Sequence, residues 1–189
     1  MRRTCAKCNC SDGPGVLPVM DDLRDRLVSD LDGAFPDLVR SMQREVYSGL
    51  RSLAGSEAED LAQETFIRAY RALNEYGADR IRDLRLRGWI WTIALNLGRN
   101  HMRDRARRPL PVANSPEPAV SDPEPTDSRA WRERLAVLPT ATRRAVVLRH
   151  VVGLGYDEIA AVVGRPEGTV KSDVHRGIQR LREIMETER

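Results

Sequence analysis

The sequence predicts an all-α protein of two small helical domains joined by an extended linker. Three observations predict this. Apolar residues recur at helical spacing from Asp21 to about Arg108 and again from Ala130 to about Glu186. No stretch alternates apolar and polar residues as a half-buried strand does, and there is no internal repeat. Between the helical runs, "PLPVANSPEPAVSDPEPTDS" (109–128) holds six prolines and four acidic residues, Glu117, Asp122, Glu124 and Asp127, with no basic one. Such a segment buries too little apolar surface to order itself. The expected organisation is a tail at 1–20, a helical domain at 21–108, a linker at 109–129 and a second helical domain at 130–189.

The chain has 189 residues, enough for two small domains that each bury a modest core. Lys+Arg 31 against Asp+Glu 28 leaves a net charge of +3, too small to grip nucleic acid by bulk charge, so any basic function is local. No run reaches the ~18 apolar residues of a membrane span, and the N-terminus lacks a signal peptide's apolar core, so the expected location is the cytoplasm.

The tail "MRRTCAKCNCSDGPGVLPVM" is rich in Gly, Pro and Cys and short on core-forming periodicity, with Met20 as an alternative first residue. All three cysteines, Cys5, Cys8 and Cys10, lie in it, so the rest of the chain needs neither disulfide nor thiolate site. Their Cys-x2-Cys-x-Cys spacing offers three thiolates to zinc or to an oxidant. The expectation is a plain tail, with no metal and no cofactor.

In the first domain the helical spacing breaks near Gly33, near Gly55 and from Gly77 to Gly88. Projected at ~100° per residue, "DLAQETFIRAYRAL" (60–73) places Leu61, Phe66, Ala69, Tyr70, Ala72 and Leu73 on one half of a helix. The other half carries Asp60, Gln63, Glu64, Arg68, Arg71 and Asn74, yet Ile67 projects from its middle. The helix beginning near Arg87, "RGWIWTIALNLGRNHMRDRARR", is apolar almost all round. Ile90, Ile93, Ala94 and Leu97 cover one side, and Trp91, Leu95, Gly98 and Met102 another. One polar stripe remains: Thr92, Asn96, Arg99, Asn100 and Arg103, with Trp89 in line at its start. Amides, a hydroxyl, arginines and an indole are groups that bond base edges, grip phosphates and stack on unpaired bases. From Asp79 to Arg108 there are nine arginines and three aspartates, so the basic excess coincides with this stripe.

In the second domain "GYDEIAAVVGRPEGTVKSDVHRGIQRLREI" has the layout of a helix-turn-helix. A helix at Tyr156–Val163 meets a turn at Gly164-Arg165, and Pro166 sits where a first helical residue is tolerated. The second helix aligns Val170, Val174, Ile178, Leu181, Ile184 and Met185 as an apolar edge. Lys171, Ser172, His175, Arg176, Gln179 and Arg182 point away from it, a set suited to reading the major groove. A plain αα-hairpin with a solvated polar face has the same spacing.

These residues resemble the extracytoplasmic-function (ECF) group of bacterial sigma factors. "EDLAQETFIRAYRAL" and "RGWIWTIALN" look like that family's second conserved region, and "LPTATRRAVVLRHVVGLGYDEIAAVVGRPEGTVKSDVHRGIQRLRE" like its fourth. The resemblance covers all but the first 20 to 30 residues. It implies a non-enzymatic subunit of RNA polymerase that selects and opens promoters. By resemblance Asp60, Gln63, Glu64, Ile67 and Arg68 meet the clamp helices of the polymerase's largest subunit. Asn96 and Asn100 match positions at the unwound minus-ten element, and Lys171, Ser172, His175 and Arg176 match positions that read the minus-thirty-five element. The implied partners are core RNA polymerase, promoter DNA both duplex and single-stranded, and an anti-sigma factor. The Tyr76–Gly88 loop departs from the family pattern in being longer and richer in arginine.

A DNA-binding regulator that recognises duplex operators without polymerase is the alternative. It leaves Ile67, the Trp89 stripe and the acidic linker without a purpose. No Gly-rich phosphate loop, metal-ligand set or nucleophile-base pair points to an enzyme, and His101, His150 and His175 are scattered.

Overall fold

Asp30 decides where the first two helices part. Its carboxylate accepts the Gly33 N–H at 3.0 Å, capping α2 (Leu31–Ala54) just after α1 (Leu17–Ser29) ends. The break expected near Gly33 therefore falls at Asp30, because a capping aspartate fixes a helix start more strongly than a glycine in the first turn disturbs it. The structure, a computed structural model, describes the backbone of residues 17–107 and 126–188, and side chains from 22–101 and 129–188. Cys5, Cys8, Cys10, Glu117, Asp122 and Glu124 fall outside the described residues, as do the side chains of Arg103 and Asp127.

Ala34, Leu38, Met42, Val46 and Leu50 form the buried edge of α2 at a spacing of four. A 3₁₀ turn at Gly55–Glu57 leads into α3 (Ala58–Glu75), which buries Leu61, Thr65, Phe66, Ala69 and Leu73. The buried Thr65 hydroxyl bonds the Leu61 carbonyl at 2.6 Å, so it costs the core no unpaired group. The stretch read as a loop from Tyr76 to Gly88 contains a short helix, α4 (Ala78–Asp83), and α5 (Leu86–Arg107) starts before Arg87. Ile81, 4 % exposed, anchors α4, which packs on α1 with Arg82 beside Asp25 at 3.6 Å. A single apolar residue among arginines carries no readable period, which is why the sequence left this helix unmarked. Helices α2, α3 and α5 touch one another and α1 lies against α2.

The second unit begins with α6 (Thr126–Ala136), so the stretch assigned to the linker gives way to helix before residue 129. The helical tail boundary shifts likewise, α1 starting at Leu17 rather than after residue 20. Then follow α7 (Thr140–His150), α8 (Tyr156–Val163) and α9 (Glu167–Thr187). Gly164 takes the left-handed conformation (φ 68°) that ends α8, and Pro166 caps α9 rather than standing as its first residue. Val170, Val174 and Leu181 are buried and Ile178 and Ile184 half-buried, but Met185 is 45 % exposed.

The two units share one core. A continuous cluster runs from Leu23 and Leu50 through Trp91 and Leu95 to Leu148, Val152, Leu154, Ile159 and Val174. A smaller cluster of Leu135, Leu138, Val146, Val147 and Leu181 lies in the second unit, with Leu53 of α2 packed against it. Helix α5 packs on α8, and α2 on α7. Gly49 makes this approach possible: a Cβ there would sit 2.4 Å from Trp91 Cη2 and 2.8 Å from Val152 Cγ2. Arg87 fastens the seam. It donates to both Glu45 oxygens (Nε at 3.0 and 3.1 Å), to the Val152 carbonyl and, at 3.5 Å, to that of Gly153. Glu45 also accepts the Trp91 indole N–H at 2.9 Å. The all-round apolar character of α5 thus has a cause, because one side meets α3 and the other meets the second unit.

Candidate functional site

The first surface lies on α3. Asp60, Gln63, Ile67 and Arg68 are exposed and Glu64 is half-buried, its carboxylate bound to Arg68 Nε at 2.6 Å. Ile67 keeps 38 % of its surface in solvent. It does not stand alone. Together with Phe35, Val39, Tyr47, Phe66 and Tyr70 it lines an apolar groove of about 820 Å³ between α2 and α3. Phe35 packs edge-on to Tyr70 with ring centres 5.1 Å apart. The Tyr70 hydroxyl donates to Asp32 at 2.5 Å, and that bond holds its pKa above the ordinary tyrosine value. Tyr47, 43 % exposed, is a contributor that the projection of α3 misses, since it lies on the neighbouring helix next to buried Val46. Projecting α2 as well would have isolated it.

The second surface is the polar stripe of α5. Asn96, Arg99 and Asn100 are exposed, whereas Thr92 and Trp89 are half-buried. The Thr92 hydroxyl donates to the Gly88 carbonyl at 2.9 Å, and Arg99 Nη2 donates to Asn96 Oδ1 at 2.8 Å. Trp89 leans on Tyr76, ring centres 6.0 Å apart, and Arg80 lies 3.7 Å over the Tyr76 ring. Helix α4 and the start of the stripe are therefore joined through one aromatic pair. Asn100 and His101 share a cleft of about 270 Å³ with Asp60, Glu64 and Arg68, so the two sets adjoin across the α3–α5 boundary.

The third surface is α9. Lys171, Ser172, His175, Arg176 and Gln179 are all exposed. Lys171 pairs with Glu167 at 2.6 Å, which holds its pKa above the ordinary lysine value. Ser172 donates to its own helix at Gly168 O, 2.9 Å away. Beneath them Asp173, 4 % exposed, gathers Arg165 at 2.5 Å and Arg176 at 2.7 Å. Asp173 is a positioning group that the sequence reading missed, sitting between Ser172 and Val174 with no period to mark it. It holds the Arg176 guanidinium through Nη2 while 66 % of that side chain stays in solvent. Among the described residues no cluster of His, Cys, Asp and Glu is arranged to hold a metal, and no helix is long and apolar enough to cross a membrane.

Residues 38–108 match the family model of sigma-70 region 2, and residues 128–181 that of sigma-70 region 4. The chain is similar to the ECF RNA polymerase sigma factor SigE of Mycolicibacterium smegmatis, 36 % identical over 187 residues, covering 93 % of this chain and 69 % of the relative. It is also similar to the ECF RNA polymerase sigma factor SigW of Bacillus subtilis, 31 % identical over 173 residues, covering 79 % and 87 %. Among solved structures it resembles the sigma factor RpoE of Bartonella quintana, crystallised with the anti-sigma factor NepR, with a TM-score of 0.65 and 27 % identity over 82 % of this chain and 98 % of that one. Two helical units in this order, with matches to both regions and to whole ECF relatives, place the chain in the ECF group of the sigma-70 family of RNA polymerase sigma factors.

Proposed function

We propose that this ECF sigma factor directs core RNA polymerase to specific promoters through the three surfaces described above, and that it performs no catalysis itself. The groove around Ile67 docks the clamp helices of the largest polymerase subunit, with Asp60, Gln63, Glu64 and Arg68 as its polar rim. The exposed apolar anchor ringed by charge carries this assignment, because such anchors dominate the energetics of small interfaces. The stripe of Trp89, Thr92, Asn96, Arg99, Asn100 and Arg103 holds the unwound minus-ten strand. Lys171, Ser172, His175, Arg176 and Gln179 read the minus-thirty-five duplex. The site of action is the cytoplasm, where the polymerase and promoter DNA are met, and an anti-sigma factor is a further partner, the Bartonella relative having been crystallised in complex with one.

The packed units must part to do this. The two promoter elements lie roughly 25 base pairs apart, about 85 Å at ~3.4 Å per pair, whereas a folded body of this size is about 40 Å across. The deciding experiment is co-purification with core polymerase followed by run-off transcription on genomic fragments. A chain that binds promoter duplex tightly by itself and never associates with polymerase would instead be an operator-binding regulator.

A further inference from the structure

A second cavity, of about 450 Å³, lies in the seam between the two units and shares Glu57 and Leu61 with the cleft at the α3–α5 boundary. Its floor is apolar, built by Leu50, Leu53, Leu61, Ala94 and Leu95. At its mouth stand Arg143 and Arg144 of α7. Among the described residues neither forms an ion pair, and Arg143 Nε is buried with no hydrogen-bond partner. Arg144 is held below the ordinary arginine pKa by burial, and by the like charges of Arg99 and Arg143. Two guanidiniums, those of Arg143 and Arg144, thus stand beside an apolar hollow with no ion-pair partner among the described residues, an arrangement that is costly until an anion joins it. Glu57 also lines the hollow, and its carboxylate faces His101 Nε2 at 3.0 Å. A concave apolar space with a few convergent polar groups is the general form of a small-molecule site.

We propose that this cavity binds a single-chain amphiphilic anion, with its acyl chain against Leu50, Leu53 and Leu95 and its head on Arg143 and Arg144. The volume is on the order of fifteen water-sized groups at ~30 Å³ each, which suits a chain of about ten carbons with a small head. Carboxylate and phosphate heads both satisfy a pair of guanidiniums. Because the walls come from both units, a bound ligand stabilises their packed arrangement by mass action.

The test is calorimetric titration and thermal unfolding of the full chain with decanoate, decyl phosphate, decanol and decyltrimethylammonium, each below its micelle concentration. One or both anions bind and raise the unfolding midpoint, the tighter one identifying the head group. Decanol and the cation bind about ten- to a hundredfold more weakly, the worth of a charge-assisted hydrogen bond. The double variant Arg143→Gln/Arg144→Gln loses that preference. Gly98→Leu abolishes binding of every probe while the chain stays folded, since a Cβ on Gly98 meets nothing within 4 Å and the glycine lines the cavity. Decanol or the cation binding as tightly as the anions overturns the proposal, as does undiminished binding to Gly98→Leu or no binding of either anion. If the natural chain binds neither anion but a Glu117→Gln/Asp122→Gln/Glu124→Gln variant does, the chain's own carboxylates fill the site and the proposal is equally overturned.

Discussion

Replacing Arg87 with alanine should uncouple the two units without dismantling either. Arg87 is 28 % exposed and its partner Glu45 24 %, so the pair is more sheltered than the cross-unit pair of Arg85 and Asp157, which are 74 % and 67 % exposed at 3.5 Å. Two of the Arg87 bonds cross the seam, to the carbonyls of Val152 and Gly153, the latter long at 3.5 Å. A charged donor on a carbonyl contributes about 1.5–3 kcal/mol, and counting the Val152 bond alone gives ~2 kcal/mol lost from the closed arrangement. Glu45 keeps the Trp91 indole at 2.9 Å, which limits further loss inside the first unit. In urea titration followed by circular dichroism, Arg87→Ala should therefore lower stability by ~2 kcal/mol and broaden the transition, with Arg85→Ala within ~0.5 kcal/mol of the natural protein. The same loss removes part of the cost of opening, so affinity for core polymerase should rise by up to about thirtyfold. If Arg87→Ala matches Arg85→Ala in both stability and polymerase affinity, the seam is not held by Arg87 and the reasoning fails.

Ile67→Asp should leave the unfolding midpoint nearly unchanged, because the side chain is 38 % exposed, yet weaken polymerase binding by more than ~2 kcal/mol; unchanged affinity in a pull-down titration removes Ile67 from the interface. Asn96→Ala/Asn100→Ala should lower open-complex formation and minus-ten single-strand binding while sparing closed complexes, each amide contributing roughly 0.5–1.5 kcal/mol. A pre-opened bubble should restore part of that activity, and normal opening after weakened closed-complex binding would mean that the stripe reads duplex. Arg176→Ala should relax base preference at one promoter position, whereas Lys171→Ala should weaken all sequences and flatten the salt dependence. Equal losses on every promoter variant would reassign Arg176 to the phosphate backbone.

What the sequence makes legible depends on range. Leu61, Phe66, Ala69 and Leu73 repeat within one helix, so the buried side of α3 and the exposure of Ile67 can be read from local spacing, and both stand in the structure. Asn96, Arg99 and Asn100 of the α5 stripe and the polar face of α9 are likewise exposed where projection puts them, whereas Thr92 and Trp89 are half-buried. Arg87 is the opposite case. Its partners lie 42 residues before it and 65 and 66 after it, separations that no helical period reports. The groove on α3 needed Tyr47 and Phe35 from α2, and Asp173 looked like one more polar residue until Arg165 and Arg176 closed on it. The second apolar side of α5 was visible as an excess of hydrophobic residues, but what covers it was not, because that cover lies beyond the linker.

That side of α5 also has a history during synthesis. Trp91 and Val152, which meet around Gly49, are separated by 61 positions (152 − 91). At ~5–20 residues per second, the Trp91 face leaves the ribosome roughly 3–12 s before the segment that covers it. For those seconds α2 lies against Trp91, through Glu45 and Gly49, and the share of its cover that Val152 supplies has not yet been made. Whatever surface reaches the nascent chain in that interval meets a sigma factor that is still open.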